Sequence, residues 1–130
     1  MLNPNELVNR NFLSSLDITN DEIIHILSLA KQFKSKEINI QLKDKVLGLI
    51  FDKSSTRTRV SFQVAMSRLG GTTIDLNPST SQIDRGEPIK DTARVMSRYC
   101  DVLAIRTFNQ SVLEEYAKWS SKPVINASQI

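Results

Sequence analysis

Between Phe51 and Arg59 the chain reads Phe-Asp-Lys-Ser-Ser-Thr-Arg-Thr-Arg, a run dense in groups that bind oxygen anions. Ser55, Thr56 and Thr58 can each donate a hydroxyl proton to an anionic oxygen, and the planar fork of Arg57 matches two such oxygens at once. The run falls where an apolar stretch, Val46 to Phe51, gives way to residues of helical spacing from about Thr56 to Leu69. Amides of a first helical turn have no partner within the helix and carry the positive end of its dipole, so a phosphate placed there is stabilised before any side chain contributes. A plainer alternative is that Ser and Thr cap the helix while two arginines run along its exposed side. Two cations at the positive end of a helix are unfavourable unless an anion sits between them, and this tips the balance toward an anion site. The run lacks the glycines and the Gly-Lys-Ser/Thr ending of a Walker loop, so it points to a small phosphate compound and not to a nucleoside triphosphate.

Such a site needs a scaffold that delivers a strand into a helix, and the rest of the chain supplies the repeat of that unit. Val46-Leu47-Gly48-Leu49-Ile50-Phe51 has no polar alternation, as suits a strand covered on both faces. Gly70-Gly71 stops the helix that follows, and Thr72 to Leu76 forms a second strand. A long polar loop beginning at Asn77-Pro78-Ser79 runs to Pro88 and invites a functional explanation by its length. A helix from about Pro88 to Arg98, a strand at Val102 to Ile105, a helix from about Ser111 to Trp119 and a strand at Val124-Ile125 complete the alternation. Ahead of these, Thr19-Asn20-Asp21-Glu22 has the spacing of a capping box. The helix it starts is expected to pack through one stripe of Ile23, Ile26, Leu27, Ala30 and Phe33, leaving Lys31, Lys34 and Lys36 in solvent. The fold class is therefore α/β: a three-layer sandwich with a central four-stranded parallel sheet and helices on both faces. Ligands of open parallel sheets bind outside the carboxyl ends of the strands, where residues 52 to 58 and Arg106 both fall.

Composition narrows the function classes. At 130 residues the expectation is one domain spanning residues 1–130. With 40% hydrophobic and 24% charged residues and no long apolar run, a membrane-spanning reading falls away. Met1 to Glu6 lacks the basic flank and apolar stretch of a secretory signal, and the single Cys100 has no partner for a disulfide, so a cytoplasmic location is expected. The net charge of +3 is modest and its cations are interspersed with acids, which gives nucleic-acid binding little support. His25, the one histidine, borders the apolar stripe and is given no role as a metal ligand. Cys100 ends a helix beside the third strand, where a buried structural thiol is expected in place of a reactive one.

Ser55-Thr56-Arg57-Thr58-Arg59, preceded by Phe51 and followed by Ser61-Phe62, resembles the carbamoyl-phosphate signature of the aspartate and ornithine carbamoyltransferase family. The resemblance continues in order through Arg68-Leu69-Gly70-Gly71, Ser81-Gln82-Ile83, Arg85-Gly86-Glu87, Asp91-Thr92-Ala93-Arg94-Val95, Asp101, Arg106-Thr107-Phe108 and Pro123-Val124-Ile125-Asn126. Gln82, Arg85 and Arg106-Thr107-Phe108 look like the ornithine branch; aspartate-specific members carry a Ser and a Lys in the loop and Arg-His-Pro after the third strand. The resemblance implies that Ser55, Thr56, Arg57 and Thr58 hold the phosphate, that Arg57 and Thr58 also reach the bridging and carbonyl oxygens, and that Arg106 polarises the carbonyl. Arg57, Thr58 and Arg106 are thus the expected catalytic set. Gln82 resembles the residue that reaches from one subunit into the carbamoyl-phosphate site of its neighbour, which implies a homotrimer. No metal and no organic cofactor is implied.

Two departures from the family pattern stand out. Asp84 occupies a place where ornithine-type members carry Gly, and a carboxylate there would repel a phosphate unless Arg85 offsets it. After Asn126 the chain reads Ala127-Ser128-Gln129-Ile130, without the His-Pro-Cys-Gln motif that completes the family's carbamoyl site. The expectation is a carbamoyl-phosphate-binding domain whose ornithine-binding domain is absent from this chain, with ornithine a partner only through that domain. The parent reaction would be carbamoyl transfer to the δ-amine of ornithine, and the isolated domain would be inactive. Two alternatives are a non-catalytic phosphate-binding or assembly module and a carbamoyltransferase acting on another amine.

Overall fold

The computed structural model describes residues 7–36, 39–51, 55–76 and 88–128. Four strands, β1 (Val46–Phe51), β2 (Thr72–Leu76), β3 (Val102–Arg106) and β4 (Val124–Asn126), alternate with helices α2 (Thr56–Arg68), α3 (Ile89–Tyr99) and α4 (Gln110–Trp119), behind an N-terminal helix α1 (Asn20–Lys34). All pairings are parallel and the strand order is β2-β1-β3-β4. The expected element order and sheet are found, with boundaries displaced by a residue or two. The order places β1 in the interior of the sheet, so its end at Phe51 lies at the carboxyl edge beside the end of β3.

Period-two alternation along these strands feeds two separate apolar layers. Ile50, Leu103, Ile105 and Val124 point to one side, where Ala93, Met96 and Cys100 of the α3 segment and Leu113 and Tyr116 of α4 cover them. Leu47, Leu49, Phe51 and Ala104 point to the other, against Phe62 and Met66 of α2. Gly48 lies on the first side, and a Cβ there would meet Cys100 Sγ and Leu103 Cδ2 at 2.8 Å, so its bare backbone is what lets the end of α3 approach β1. Cys100 is accordingly buried, and that burial, followed by the neighbouring Asp101 charge, pushes its thiol pKa up. At the end of α2, Gly70 takes the left-handed backbone, φ 82°, that favours glycine and stops the helix.

Asp101 ties the start of β3 to the start of β1. Its carboxylate accepts from the Val46 amide at 2.8 Å while its own amide donates to the Val46 carbonyl, also at 2.8 Å. At the other side of the sheet residues 11–13 run beside β4. The Phe12 amide donates to the Val124 carbonyl at 2.8 Å, the Asn126 amide donates to the Phe12 carbonyl at 2.7 Å, and Asn11 Oδ1 accepts from the Val124 amide at 2.8 Å.

The expected capping box at α1 is present, Thr19 Oγ1 accepting from the Glu22 amide at 3.1 Å and the Glu22 carboxylate accepting from the Thr19 amide at 2.9 Å. The expected packing of α1 is not. None of Ile23, Ile26, Leu27, Ala30 and Phe33 is buried, and Leu27 is 63% exposed. What holds α1 is its N-terminal end: Glu22, the one buried residue of the helix, receives the Arg10 guanidinium, which also donates to the Asp17 carbonyl. Among the described residues this polar tether fixes one end of the helix, and the apolar stripe stays largely uncovered, with Phe33 half-buried and Ile26 at the rim of a cavity beside Phe12 and Ile125. On the α2 side of the sheet a largely apolar groove of about 630 Å³ also stays open, with Leu42, Leu47, Phe62, Met66, Val102 and Ile125 among its walls. The α3 and α4 side is closed; the α2 side is half closed.

Candidate functional site

The carboxyl end of β1 is followed, after residues 52–54, by Ser55 as the N-cap of α2. Its backbone is non-helical, φ −157° and ψ 88°, and its side chain makes no capping hydrogen bond. The contrast within the molecule is direct: Thr19 caps α1 and Asn109 caps α4 through their side chains, and α1 carries Asp21 and Glu22 in its first turn. The first turn of α2 has no acidic residue. Its first closing bond among the described residues is Arg59 N to Ser55 O at 3.1 Å, and the amides of residues 56–58 precede it, at the end of a helix where amides have no intrahelical acceptor. The idea that Ser and Thr merely cap this helix is therefore not what the structure shows at Ser55.

Of the sequence-selected residues, Ser55, Thr56, Arg57 and Thr58 come together on this one turn, with Thr56 and Arg57 exposed and Ser55 and Thr58 half-buried. Arg57 has no side-chain partner among the described residues. Arg106 ends β3 in direct register with Phe51 at the end of β1, which sets it on the same edge of the sheet. Its Nη1 donates to the Ala127 carbonyl at 3.1 Å, while its Nε is buried with no hydrogen-bond partner among the described residues. A buried guanidinium donor left unpaired is costly and is paired in most folded proteins, so it marks a place where a further acceptor fits. Past Arg106, Thr107, Asn109, Asn126 and Ser128 help to line a polar cavity of about 240 Å³. Gln82 lies outside the described residues, as do Asp84 and Arg85, the other members of its loop.

Arg59 departs from the exposed position that the sequence pattern suggested. Its Nε lies 3.2 Å from Asp75 Oδ2 on β2, and its guanidinium carbon lies 5.4 Å from the centre of the buried Phe51 ring. Only one of the two cations at the head of α2 thus lacks a counter-charge among the described residues. The sequence signal that could have found this pair was an Asp inside an otherwise apolar and hydroxylic strand, Thr72-Thr73-Ile74-Asp75-Leu76.

The model of the family described as aspartate/ornithine carbamoyltransferase, carbamoyl-P binding domain, matches residues 10–130. The chain belongs to the aspartate/ornithine carbamoyltransferase family. It is 80% identical over 127 residues to an ornithine carbamoyltransferase of Prochlorococcus marinus (strain CCMP1986), 98% of this chain against 41% of that protein. An ornithine carbamoyltransferase of Nostoc punctiforme is 56% identical, across 93% of this chain and 39% of the relative. Among solved structures, the ornithine carbamoyltransferase of Pyrococcus furiosus superposes with a TM-score of 0.85 at 46% identity, covering 94% of this chain and 40% of that one. The aspartate transcarbamoylase of Trypanosoma cruzi in complex with carbamoyl aspartate and phosphate superposes at 0.84 with 30% identity, covering 95% and 42%. The carbamoyltransferase fold assigned by the sequence is thus found, and the chain spans about two fifths of the length of the curated relatives it matches. Among the described residues no helix is long and apolar enough to cross a membrane.

Proposed function

We propose that this chain forms the carbamoyl-phosphate-binding half of an ornithine carbamoyltransferase, which transfers a carbamoyl group from carbamoyl phosphate to the δ-amine of L-ornithine and releases L-citrulline and phosphate. The observation that carries this reading is the first turn of α2, free of acids, without a Ser55 side-chain cap and bearing Arg57, at the sheet edge where Arg106 ends β3 with its Nε buried and without a partner among the described residues. Identities up to 80% with ornithine carbamoyltransferases support ornithine as the acceptor over aspartate.

In this mechanism the phosphate group sits on the first-turn amides of α2 with the hydroxyls of Ser55, Thr56 and Thr58 and the fork of Arg57. The neutral amine of ornithine attacks the carbamoyl carbon, negative charge gathers on the carbonyl oxygen, and the carbon–oxygen bond to phosphate then breaks while the amine loses a proton. Arg57, Thr58 and Arg106 stabilise that oxygen as its charge grows, and such preorganised donors contribute more where water is excluded. The protein contributes placement and electrostatics and forms no covalent intermediate. Gln82 completes the site from a neighbouring subunit, the assembly is a homotrimer, and the enzyme works in the cytoplasm without metal or organic cofactor.

Calorimetry with carbamoyl phosphate and inorganic phosphate tests the anion site. A charge-assisted contact contributes up to ~1.5–3 kcal/mol and less where it stays in water, so Arg57→Ala is expected to weaken binding by no more than that amount with little change in thermal stability. Equal affinity of the wild-type chain and Arg57→Ala would overturn the assignment.

A further inference from the structure

We propose that Arg59 is a positioning residue, which together with Asp75 holds the first turn of α2 in the conformation that receives the anion. The inference rests on the carbamoyl-phosphate site assigned above and adds to it a pair that touches no substrate.

Three observations converge on Arg59. Its amide closes the first turn by donating to the Ser55 carbonyl at 3.1 Å, so its backbone defines where the helical ladder begins. Its Nε pairs with Asp75 Oδ2 at 3.2 Å, an ion pair that is not aligned as a hydrogen bond. Its guanidinium stacks over Phe51, which is 3% exposed and ends the strand that leads into the site. The head of α2 is thereby fastened to the ends of two neighbouring strands, since β1 and β2 are in parallel register with Leu49 beside Asp75. Ser55 makes no side-chain cap, so this turn lacks the local support that the capped helices of the same chain have. A turn that keeps its amides open for a ligand must be held from outside, because the usual cap would occupy the donors that the ligand needs.

Electrostatics makes the proposal separable from its rival, in which Arg59 binds the anion directly. Asp75 shares its charge with Arg59, so Asp75→Asn releases a cation near the site and adds one unit of positive charge. If Arg59 were an anion ligand, or general positive charge made the site, this substitution would tighten binding. If Arg59 positions the turn, the same substitution weakens binding although the net charge rises.

The experiment is calorimetry with inorganic phosphate and carbamoyl phosphate on the wild-type chain, Asp75→Asn, Arg59→Met, Arg59→Lys and Arg57→Ala, with amide exchange of residues 56–59 measured on each. We expect Asp75→Asn and Arg59→Met to weaken binding several-fold and to speed exchange of the first-turn amides, with partial rescue in Arg59→Lys, which restores a charge for Asp75 without the planar stack. Unchanged or tighter binding in Asp75→Asn, with the protein folded by circular dichroism, overturns the positioning role. Should Arg59→Met fail to fold, Asp75→Asn and Arg59→Lys decide the question. If Arg57→Ala weakens binding while every Arg59 and Asp75 variant binds as wild type does, the positioning inference fails alone. Absence of binding to the wild-type chain removes both readings.

Discussion

The residues of Ser55-Thr56-Arg57-Thr58 are legible in the sequence because hydroxyls and a guanidinium at the junction of a buried strand and a helix have few other uses. Arg59 reads from the sequence as a surface cation because its partner lies on another strand, and parallel register cannot be read from one segment. The same limit applies to Arg106: its strand-end position is readable, its buried Nε without a partner among the described residues is not. Gly48 gives a sharper test of the packing at this scale. A methyl group at residue 48 would press on the sulfur of Cys100 and on Leu103, each 2.8 Å from where the Cβ would lie, and Met96 lies at 3.0 Å. Overpacking of this kind costs ~1–3 kcal/mol. Gly48→Ala is therefore expected to lower the urea midpoint and to speed reaction of Cys100 with a thiol reagent, a reaction that in the wild type waits for the buried, pKa-raised thiol to open. A Gly48→Ala protein of unchanged midpoint and thiol reactivity would contradict this account of the β1 and α3 contact.

The four strands and helices α1 to α4 were foreseeable from periodicity, capping and glycine stops, since those signals are local, whereas the short 3-10 turn at Ser15–Asp17 was not. The seating of α1 was not, because an amphipathic stripe states that a helix can pack without stating what it packs on. Its tether offers a pH-dependent handle. The hydrogen bond from the Arg10 guanidinium, seconded by the Thr19 amide, holds the Glu22 carboxyl below its usual range. A folded-state pKa below the unfolded one contributes stability that is present above the ordinary Glu value of ~4.3 and is lost as pH falls through the lowered folded value. Helix content and amide protection over residues 20–34 are thus expected to fall on acidification before those of α3 and α4. In Glu22→Gln the tether is weakened already at neutral pH and the acid-dependent step is lost. A Glu22→Gln chain whose α1 protection follows the wild-type pH profile would show that another contact holds the helix.

At the scale of the whole molecule the two faces of the sheet are unequal, closed by α3 and α4 on one side and left with an apolar groove on the other. The polypeptide of residues 1–130 is expected to fold, because each strand lies in the sheet and one complete apolar layer is covered by its own helices. It is expected to bind phosphate-type anions and to form no measurable citrulline from carbamoyl phosphate and ornithine. Holding two substrates together supplies ~7–11 kcal/mol of barrier reduction, and the described site offers donors for one of them. Citrulline formed in proportion to this polypeptide and abolished by Arg57→Ala would overturn that expectation. The segment at Phe12 carries a different implication. By bonding to Val124 and Asn126 it occupies part of one margin of the sheet, whereas among the described residues β2 has no neighbour beyond β1. Open-ended growth of a sheet from molecule to molecule needs two free margins on every copy. With Phe12 occupying part of the β4 margin, joining of copies through β2 uses the exposed margin of both at once, which favours a pair over an extended array.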